Sequence, residues 1–369
     1  MNFPVKKLGF GLMRLPQKDG VIDIEQTKAM VDKFMKAGFT YFDTAWAYPN
    51  SEDAMRQALV ERYPRDSFTV ATKLAAWINC KTKAEAEAQF ETSLKQSGVD
   101  YFDFYLLHNL GEGRTKFFDD WDIWGFAQQK KKEGLIRSVG FSFHSTADEL
   151  EAILTAHPEM EFVQLQINYA DWESNSIQSR ACFEVAKRHN IPIIAMEPVK
   201  GGLLANPPET VASILKNAAP DASAASWAVR FAASLDEVKV VLSGMSTLEQ
   251  VDDNVSYMEN FVPLSAGEQA TIEEARKALA ALPIIPCTSC NYCAKVCPSN
   301  IGISGTFEAT NMVLLYKNTT FAKEQLKWLV GGHGKAGAEN CTQCGACVPA
   351  CPQHINIPDE LKKATQLLA

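Results

Sequence analysis

Residues 40–48 read T-Y-F-D-T-A-W-A-Y, so that a short apolar β-type run ends at Asp43 and Tyr48 follows five residues later. The next two apolar runs also end in ionisable residues, because residues 71–74 read A-T-K-L and residues 106–109 read L-L-H-N. In a parallel α/β barrel the carboxyl ends of the strands lie at one face, where catalytic groups collect. The sequence therefore predicts that four side chains converge there: Asp43, Tyr48, Lys73 and His108.

Apolar β-type runs alternate with amphipathic helical runs along roughly the first 280 residues, which is the pattern of a parallel α/β fold. Eight strand–helix units are the number found in a TIM (β/α)8 barrel. A doubly wound open sheet is the alternative, but no glycine-rich dinucleotide fingerprint follows the first strand. The predicted strands are Leu8–Leu15, Thr40–Thr44, Phe68–Lys73, Phe102–Leu107, Ser138–Ser142, Phe162–Ile167, Ile191–Met196 and Val238–Leu242.

A break in this alternation falls at residues 282–286, which read L-P-I-I-P. Two prolines end the preceding helix, so the sequence predicts a barrel domain over residues 1–282 and a smaller domain over residues 283–369. The smaller domain contains two predicted helices, Thr306–Tyr316 and Phe321–Val330. It is therefore expected to be mainly α-helical.

Two cysteine runs, residues 287–298 and 341–352, follow the spacing C-x2-C-x2-C-x3-C-P and take eight of the ten cysteines. This spacing holds [4Fe–4S] clusters in bacterial ferredoxins, where the fourth cysteine of each run ligates the other cluster. Zinc more often uses two separated C-x2-C pairs, and disulfides suit small secreted chains. The first predicted cluster takes Cys287, Cys290, Cys293 and Cys351, and the second takes Cys341, Cys344, Cys347 and Cys297. The domain resembles the α-helical ferredoxin type of fumarate reductase iron–sulfur subunits.

The net charge and the distribution of apolar residues exclude several classes of binding partner. The formal net charge is −8, and no basic stripe is visible, so nucleic acid and anionic membranes are not expected partners. No run approaches the ~20 apolar residues of a membrane span, and residues 1–16 lack an apolar stretch of signal-peptide length. Since thiolates stay reduced in the cytoplasm, the expected location is cytoplasmic.

The segments F-D-T-A-W-A-Y, A-T-K-L and L-L-H-N together resemble the aldo/keto reductase family. The resemblance covers about 280 residues and implies Asp43, Tyr48, Lys73 and His108 as the catalytic site. In that interpretation Tyr48 is the general acid, and Lys73 lowers the pKa of its phenol from a reference value near 10. Asp43 holds Lys73 in place, and His108 orients and polarises a carbonyl oxygen.

The resemblance also implies a nicotinamide nucleotide across the carboxyl ends of the strands. Its contacts are expected at the carboxamide, the pyrophosphate and the adenosine. Three positions depart from the family. Phe143 stands where asparagine is frequent, and Met196 replaces a stacking aromatic. Residues 242–251 read L-S-G-M-S-T-L-E-Q-V and offer Gly244 and Gln250 where the family often has Lys and Arg for a 2′-phosphate, so that both NADP(H) and NAD(H) remain open. Ser142 and Gln164 are implied at the carboxamide, Gly201 and Gly202 near the pyrophosphate, and Ser243, Gly244 and Asn254 at the adenosine end. Met196 and Gln250 stand at two of the departing positions, and Lys200 is expected to supply the missing cation.

A nicotinamide nucleotide and a [4Fe–4S] cluster transfer different numbers of electrons. The nicotinamide transfers two as hydride, and the cluster transfers one. A flavin could connect them, although no flavin motif is present. Three interpretations stay open: a nicotinamide-dependent reductase of a small aldehyde or ketone (or the reverse oxidation of an alcohol), a ferredoxin- or flavin-linked reductase, and a non-catalytic electron-transfer protein that docks a partner. Each allows a redox partner protein.

Overall fold

The structure is a computed structural model that describes residues 3–111, 113–175, 177–287, 289–351 and 353–369. Eight parallel strands close into a barrel in the order β1-β8-β7-β6-β5-β4-β3-β2, which confirms the predicted TIM barrel. A two-stranded ladder, Gln17–Lys18 with Val21–Ile22, lies outside it. The barrel strands are β1 (Leu8–Gly11), β2 (Tyr41–Asp43), β3 (Thr69–Leu74), β4 (Phe102–Leu110), β5 (Ile136–Phe143), β6 (Phe162–Gln166), β7 (Ile193–Met196) and β8 (Val238–Ser243).

Helices follow the strands, as the alternation predicts. Those of the first 280 residues are α1 (Ile24–Lys36), α2 (Ser51–Met55), α3 (Lys83–Ser97), α4 (Thr115–Asp120), α5 (Ile123–Lys132), α6 (Ala147–Ala156), α7 (Ser179–Arg188), α8 (Glu209–Ala218), α9 (Ala224–Ala233), α10 (Leu248–Met258) and α11 (Ala266–Ala280). The later ones are α12 (Tyr292–Lys295), α13 (Ile303–Tyr316), α14 (Thr319–Leu329) and α15 (Ile357–Leu367).

Local sequence explains where several helices begin. The side chain of Asp23 accepts a hydrogen bond from Gln26 N at the start of α1. Thr82, Thr146 and Thr247 do the same for α3, α6 and α10. Each cap satisfies a backbone N–H that has no partner inside its helix, and so fixes the point where the loop after a strand becomes helix.

Two strand ends differ from the predicted ones. The first strand ends at Gly11 instead of Leu15, because residues 12–14 turn into a 3₁₀ helix. Strand β4 continues to Leu110, past the predicted Leu107. Its ladder with β5 shifts register between Leu107 and Leu110, and Asn109 has a left-handed φ of 60°. Such irregularities re-aim side chains near active sites, and this one lies next to His108.

The barrel interior is filled by side chains from alternate strand positions, as expected from the two-residue period of a strand. The buried cluster there contains Tyr41, Ala71, Phe104, Leu106, Phe162, Ile194, Val240 and Leu242. Gly9 makes room for it, because a Cβ on this residue would lie 2.8 Å from the side chains of Leu242 and Val240. The same two-residue alternation places further side chains in the barrel interior near the carboxyl ends of the strands. These are Asp43, Lys73, His108, Ser142, Gln164 and Gln166.

The chain divides into two compact units. The first contains Met1–Gly201 and Asp221–Gln269, and the second contains Gly202–Pro220 and Ala270–Ala369. The second unit therefore takes in the segment that carries α8, whereas the domain boundary predicted between residues 282 and 283 stays a prediction. Among the described residues, no helix is long and apolar enough to cross a membrane.

The second unit is mainly helical, as predicted. The interhelical packing of α13 and α14 buries Met312, Val313 and Ala322 together with Leu203. A separate core forms around Phe307, Ile303 and Leu361, and buried or partly buried cysteines pack against it. Six of the eight cysteines in the two runs therefore pack against an apolar core, whereas Cys290 and Cys344 are exposed.

Candidate active site

The centre of the barrel mouth is a buried ion pair. Asp43 and Lys73 occupy inward positions of the neighbouring strands β2 and β3, and their side chains are 5% and 1% exposed. Lys73 Nζ donates to Asp43 Oδ1 at 2.5 Å and to the carbonyl oxygen of Thr44 at 2.7 Å. A buried lysine needs such partners to remain charged. Burial acts to lower the pKa of Lys73, but the charges and hydrogen bonds of Asp43 and Tyr48 outweigh it, so that the pKa rises.

Tyr48 lies over this pair. Lys73 Nζ is 5.0 Å from the centroid of the Tyr48 ring, and that ring meets the His108 ring edge to face with centroids 5.8 Å apart. Burial raises the pKa of the Tyr48 phenol, and Lys73 lowers it by a smaller amount, so that the pKa lies above its ordinary value. The lowering expected from Lys73 is present but does not dominate in this structure.

His108 is held through its backbone, since Trp77 Nε1 donates to the carbonyl oxygen of His108 at 2.9 Å. Its Nδ1 atom is buried and has no hydrogen-bond partner among the described residues. Burial lowers the pKa of His108 well below 6.5, and the positive charge of Lys73 adds to this effect. The imidazole is therefore neutral at physiological pH, and it offers a polar group to a ligand without carrying charge.

The two residues expected at the nicotinamide carboxamide bond to the protein itself. Ser142 Oγ accepts a hydrogen bond from Asn109 N at 2.8 Å, and Ser142 is 1% exposed. Gln164 is 2% exposed and its Nε2 donates to Asp43 Oδ2 at 3.2 Å. Gln164 thus positions the carboxylate that holds Lys73, a contact that the sequence did not indicate.

The residues expected at the pyrophosphate and adenosine lie after β7 and β8. Gly201 and Gly202 have left-handed φ angles of 65° and 98°, which only glycine adopts without strain. Gly202 is the first residue of the second unit. Ser243 is buried, and a Cβ on Gly244 would lie 3.9 Å from Arg14 Cβ. The Cβ atom of Arg14, in the 3₁₀ helix after β1, therefore lies beside the eighth-strand loop, and the charge of Arg14 acts to lower the pKa of Glu197.

The adenosine-end residues on α10 are used within the protein. Gln250 Oε1 accepts from Ser246 N at 2.6 Å, and Asn254 Nδ2 donates to the carbonyl oxygen of Gln250 at 2.7 Å. Asn254 Oδ1 also accepts from the Tyr257 hydroxyl at 2.9 Å. Met196 packs against the barrel interior, as an inward residue at the end of β7 should.

Lys200, the cation expected to compensate at the phosphates, is paired. Its Nζ lies 2.6 Å and 2.7 Å from the two carboxylate oxygens of Asp171. Asp171 and the partly buried Glu197, whose backbone has a left-handed φ of 53°, were missed by the sequence analysis. The sequence carried a weak signal for both, because each follows a predicted strand, β6 or β7, by a few residues.

The eight cysteines of the second unit come together in two sets. A cavity there is lined by Cys287, Cys290, Cys293 and Cys351, with Ile303 and Phe307. Burial raises the pKa of the Cys347 thiol, and the charges of Cys341, Cys297 and Cys344 add to this rise. Each set of four thiols thus contains one cysteine from the other run, as a two-cluster ferredoxin requires. No group of three or more described His, Cys, Asp or Glu residues is placed to hold a single metal ion.

A closed (β/α)8 barrel with a buried ionisable cluster at the carboxyl ends of its strands defines a TIM-barrel enzyme. The aldo/keto reductase family model matches residues 7–277, and a model described as a 4Fe-4S dicluster domain matches residues 286–356. The chain therefore belongs to the aldo/keto reductase family, is an oxidoreductase of that type and carries a 4Fe-4S domain at its carboxyl-terminal end.

Relatives and solved structures agree with this assignment. An aldo-keto reductase of Mycolicibacterium smegmatis is 30% identical over 193 residues, which cover 52% of this chain and 64%, under two thirds, of that protein. The holo form of aldo-keto reductase AKR11C1 from Bacillus halodurans has a TM-score of 0.59 and 22% identity over 74% of this chain and 95% of that chain. An aldo-keto reductase from Klebsiella pneumoniae in complex with NADPH has a TM-score of 0.58 and 22% identity, covering 73% and 90% of the two chains. At these identities the two structures show the shared fold.

Proposed function

We propose that the barrel reduces the carbonyl group of a small aldehyde or ketone, or oxidises the corresponding alcohol, with Tyr48 as the group that transfers the proton. The observation that carries this proposal is the buried Lys73 ammonium, bonded to Asp43 and lying 5.0 Å from the Tyr48 ring centroid. A phenol beside a fixed positive charge can release its proton, since the resulting phenolate is stabilised. Burial keeps the phenol protonated at neutral pH, which is the form that a general acid needs.

In the reduction, the proton of the Tyr48 hydroxyl passes to the carbonyl oxygen while Lys73 stabilises the phenolate that is left. The neutral His108 side chain contacts the same oxygen and polarises it. Asp43 keeps Lys73 charged and in place, and Gln164 fixes Asp43. A bound nicotinamide coenzyme supplies the hydride that completes the two-electron step.

The coenzyme fits the loops after β7 and β8 in part. The left-handed backbone at Gly201 suits close approach of a phosphate, and Arg14, whose Cβ atom lies near Gly244, supplies positive charge. Ser243 and Gly244 lie at the eighth strand, at the position where TIM barrels often bind phosphate. The NADPH complex of the Klebsiella pneumoniae relative supports a nicotinamide nucleotide here as well.

The second unit supports a further part of the proposal. Its two sets of four thiols suit two [4Fe–4S] clusters, whose chemistry is the transfer of single electrons. We assign Cys287, Cys290, Cys293 and Cys351 to one cluster and Cys341, Cys344, Cys347 and Cys297 to the other. Clusters held by these cysteines would supply single-electron transfer to or from a redox partner protein or the barrel chemistry.

The catalytic assignment is tested with Tyr48→Phe, which removes only the hydroxyl. We expect kcat/KM for carbonyl reduction to fall by about 10³-fold while the visible absorbance of the clusters is unchanged. Tyr63→Phe is the matched control, because the Tyr63 hydroxyl bonds Asp32 on the outer helix α1. Wild-type turnover by Tyr48→Phe contradicts the proposal.

The cluster assignment is tested with Cys351→Ser, which is expected to remove about half of the bound iron since the fourth ligand of one cluster is lost. Cys182→Ser, at a buried cysteine outside the runs, should keep all of it. Anaerobic titration of the intact protein with NADPH and then NADH follows the cluster absorbance. Bleaching means that electrons cross from the nucleotide to the clusters, and turnover with reduced clusters alone favours the ferredoxin-linked alternative.

A further inference from the structure

A closed set of hydrogen bonds joins the loop after β6 to the loop after β7. Lys200 Nζ contacts both carboxylate oxygens of Asp171 at 2.6 Å and 2.7 Å, with side chains 15% and 9% exposed. Asn168, which is fully buried, donates from Nδ2 to Asp171 Oδ2 at 2.8 Å and accepts from Asp171 N at 2.8 Å. Asn168 Nδ2 also reaches the carbonyl oxygen of Glu197 at 3.3 Å.

The Lys200–Asp171 pair lies in a part of the barrel where phosphate groups often bind. In TIM barrels the loops after the seventh and eighth strands frequently bind phosphate, and Lys200 belongs to the first of them. Charged side chains of both signs lie near this loop. The positive charges of Arg14 and Lys200 lower the pKa of Glu197, and the negative charge of Asp171 raises it. A phosphate that enters this loop must therefore compete with a carboxylate for the ammonium group of Lys200.

We propose that Asp171 is a specificity-determining residue that competes with a phosphate group of the ligand for Lys200 and so limits the affinity of the site for nucleotides. This inference rests on the proposed function, because the ligand is the nicotinamide nucleotide. Without ligand, Lys200 bonds Asp171. With ligand, Lys200 turns to the phosphate while Asn168 continues to bond both the carboxylate and the backbone N–H of Asp171.

Asn168 makes this exchange feasible. A buried carboxylate that lost its only partner would strongly oppose the change, since an unpaired buried charge is costly. Here one carboxylate oxygen keeps the hydrogen bond from Asn168 after Lys200 leaves. If the Lys200–Asp171 pair only stabilised the two segments that it joins, the opposite result would be expected. Removing the pair would then loosen these segments and weaken coenzyme binding.

The sign of the effect on binding tests the proposal. NADPH and NADH are titrated separately into the intact, cluster-replete protein, and tryptophan fluorescence quenching gives each Kd. Asp171→Asn should bind NADPH about tenfold more tightly than the wild type, since a freed charge-assisted hydrogen bond becomes available to the phosphate. Lys200→Met should bind more weakly, and the double variant should match Lys200→Met, because Asp171 acts only through Lys200.

Asp32→Asn is the matched control, as it removes an ion-paired carboxylate from the outer helix α1, and its Kd values should equal those of the wild type. Tightening for both coenzymes identifies the diphosphate as the competing anion, and tightening for NADPH alone identifies the 2′-phosphate; both support the proposal. Unchanged or weaker binding by Asp171→Asn overturns it.

If Asp171→Asn does not fold, Asp171→Ser serves as a second uncharged variant that keeps a hydroxyl for Asn168, and unchanged or weaker coenzyme binding by that variant overturns the proposal. A wild-type protein that binds neither coenzyme overturns the proposed function together with this inference. A wild-type protein that binds coenzyme, with Asp171→Asn unchanged, overturns this inference alone.

Discussion

Two buried lysine–aspartate pairs lie at the carboxyl end of the barrel, and they differ in what holds them. Lys73 and Asp43 belong to adjacent strands, with 2.5 Å between Nζ and Oδ1 and side chains 1% and 5% exposed. Lys200 and Asp171 lie outside the strands, in the segments after β7 and β6, and Lys200 begins a short 3₁₀ helix, Lys200–Ala205. Their Nζ and Oδ1 atoms are 2.6 Å apart, and the side chains are 15% and 9% exposed. A pair held by a closed sheet keeps its geometry, which suits a catalytic charge, whereas a pair held by loops can exchange partners.

The largest difference between the pairs is expected from Asp43→Asn. This variant leaves the Lys73 ammonium buried without its carboxylate, so we expect a loss of about 3–5 kcal/mol in the free energy of unfolding. The kcat/KM should fall by about 10³-fold, because Lys73 loses its charge or its position. Denaturant unfolding and turnover measure the two effects, and Asp171→Asn is the comparison, with the smaller loss of stability. Equal losses for both variants would remove the distinction between strand-held and loop-held pairs.

The effect of burial on a titratable group near the strand-held pair can be measured at His144. Burial lowers the pKa of His144 to about 4 from 6.5, and the charges of Arg114 and Lys73 add to this effect, while a hydrogen bond with Gln166 opposes it. As pH falls, the unfolded chain takes up this proton first, so the contribution to stability is complete above about pH 6.5 and is lost between there and pH 4.

This loss is expected to be on the order of 1–3 kcal/mol between pH 6.5 and pH 4. Unfolding followed by tryptophan fluorescence at several pH values measures it, and His144→Gln should give a flatter pH dependence. The same slope in the variant and the wild type would assign the loss to other groups.

A smaller effect is expected when the strand-held pair loses its support. Gln164→Met removes the 3.2 Å hydrogen bond to Asp43 Oδ2 and keeps the side-chain volume, so stability should drop by about 1 kcal/mol. If Gln164 acts mainly through Asp43, kcat falls and the Kd of the coenzyme does not change. A raised Kd with unchanged kcat would instead favour the carboxamide contact that the family resemblance implies.

The smallest effect is expected at an exposed pair of the same composition. Lys33 Nζ contacts Asp252 at 2.5 Å and 2.6 Å, with side chains 44% and 59% exposed. Lys33→Met should change the free energy of unfolding by less than about 0.5 kcal/mol, because water and salt screen exposed pairs. A loss comparable to that of Asp171→Asn would show that burial does not explain the ranking.

Much of the candidate site follows from local sequence. The positions of Asp43 and Lys73 near the carboxyl ends of their strands can be recognised because the change from an apolar run to a helical pattern is encoded within a few residues. Strand β4 instead runs past His108 to Leu110. The cysteine spacing likewise reports a tight loop around a cluster. What these patterns do not contain is the partner of each side chain, and for that reason Lys200 was assigned to phosphate and Gln164 to the carboxamide.

Periodicity and spacing along short segments predict the eight strand–helix units, the residue types near the strand ends and the two cysteine runs. Tertiary packing pairs Asp171 with Lys200 and brings Gln164 into hydrogen-bond contact with Asp43. It also buries Tyr48, so that burial raises the pKa of its phenol by more than Lys73 lowers it. These contacts join residues that are far apart in the chain. They depend on the closure of the barrel and on the exclusion of water, and neither is encoded in any local pattern.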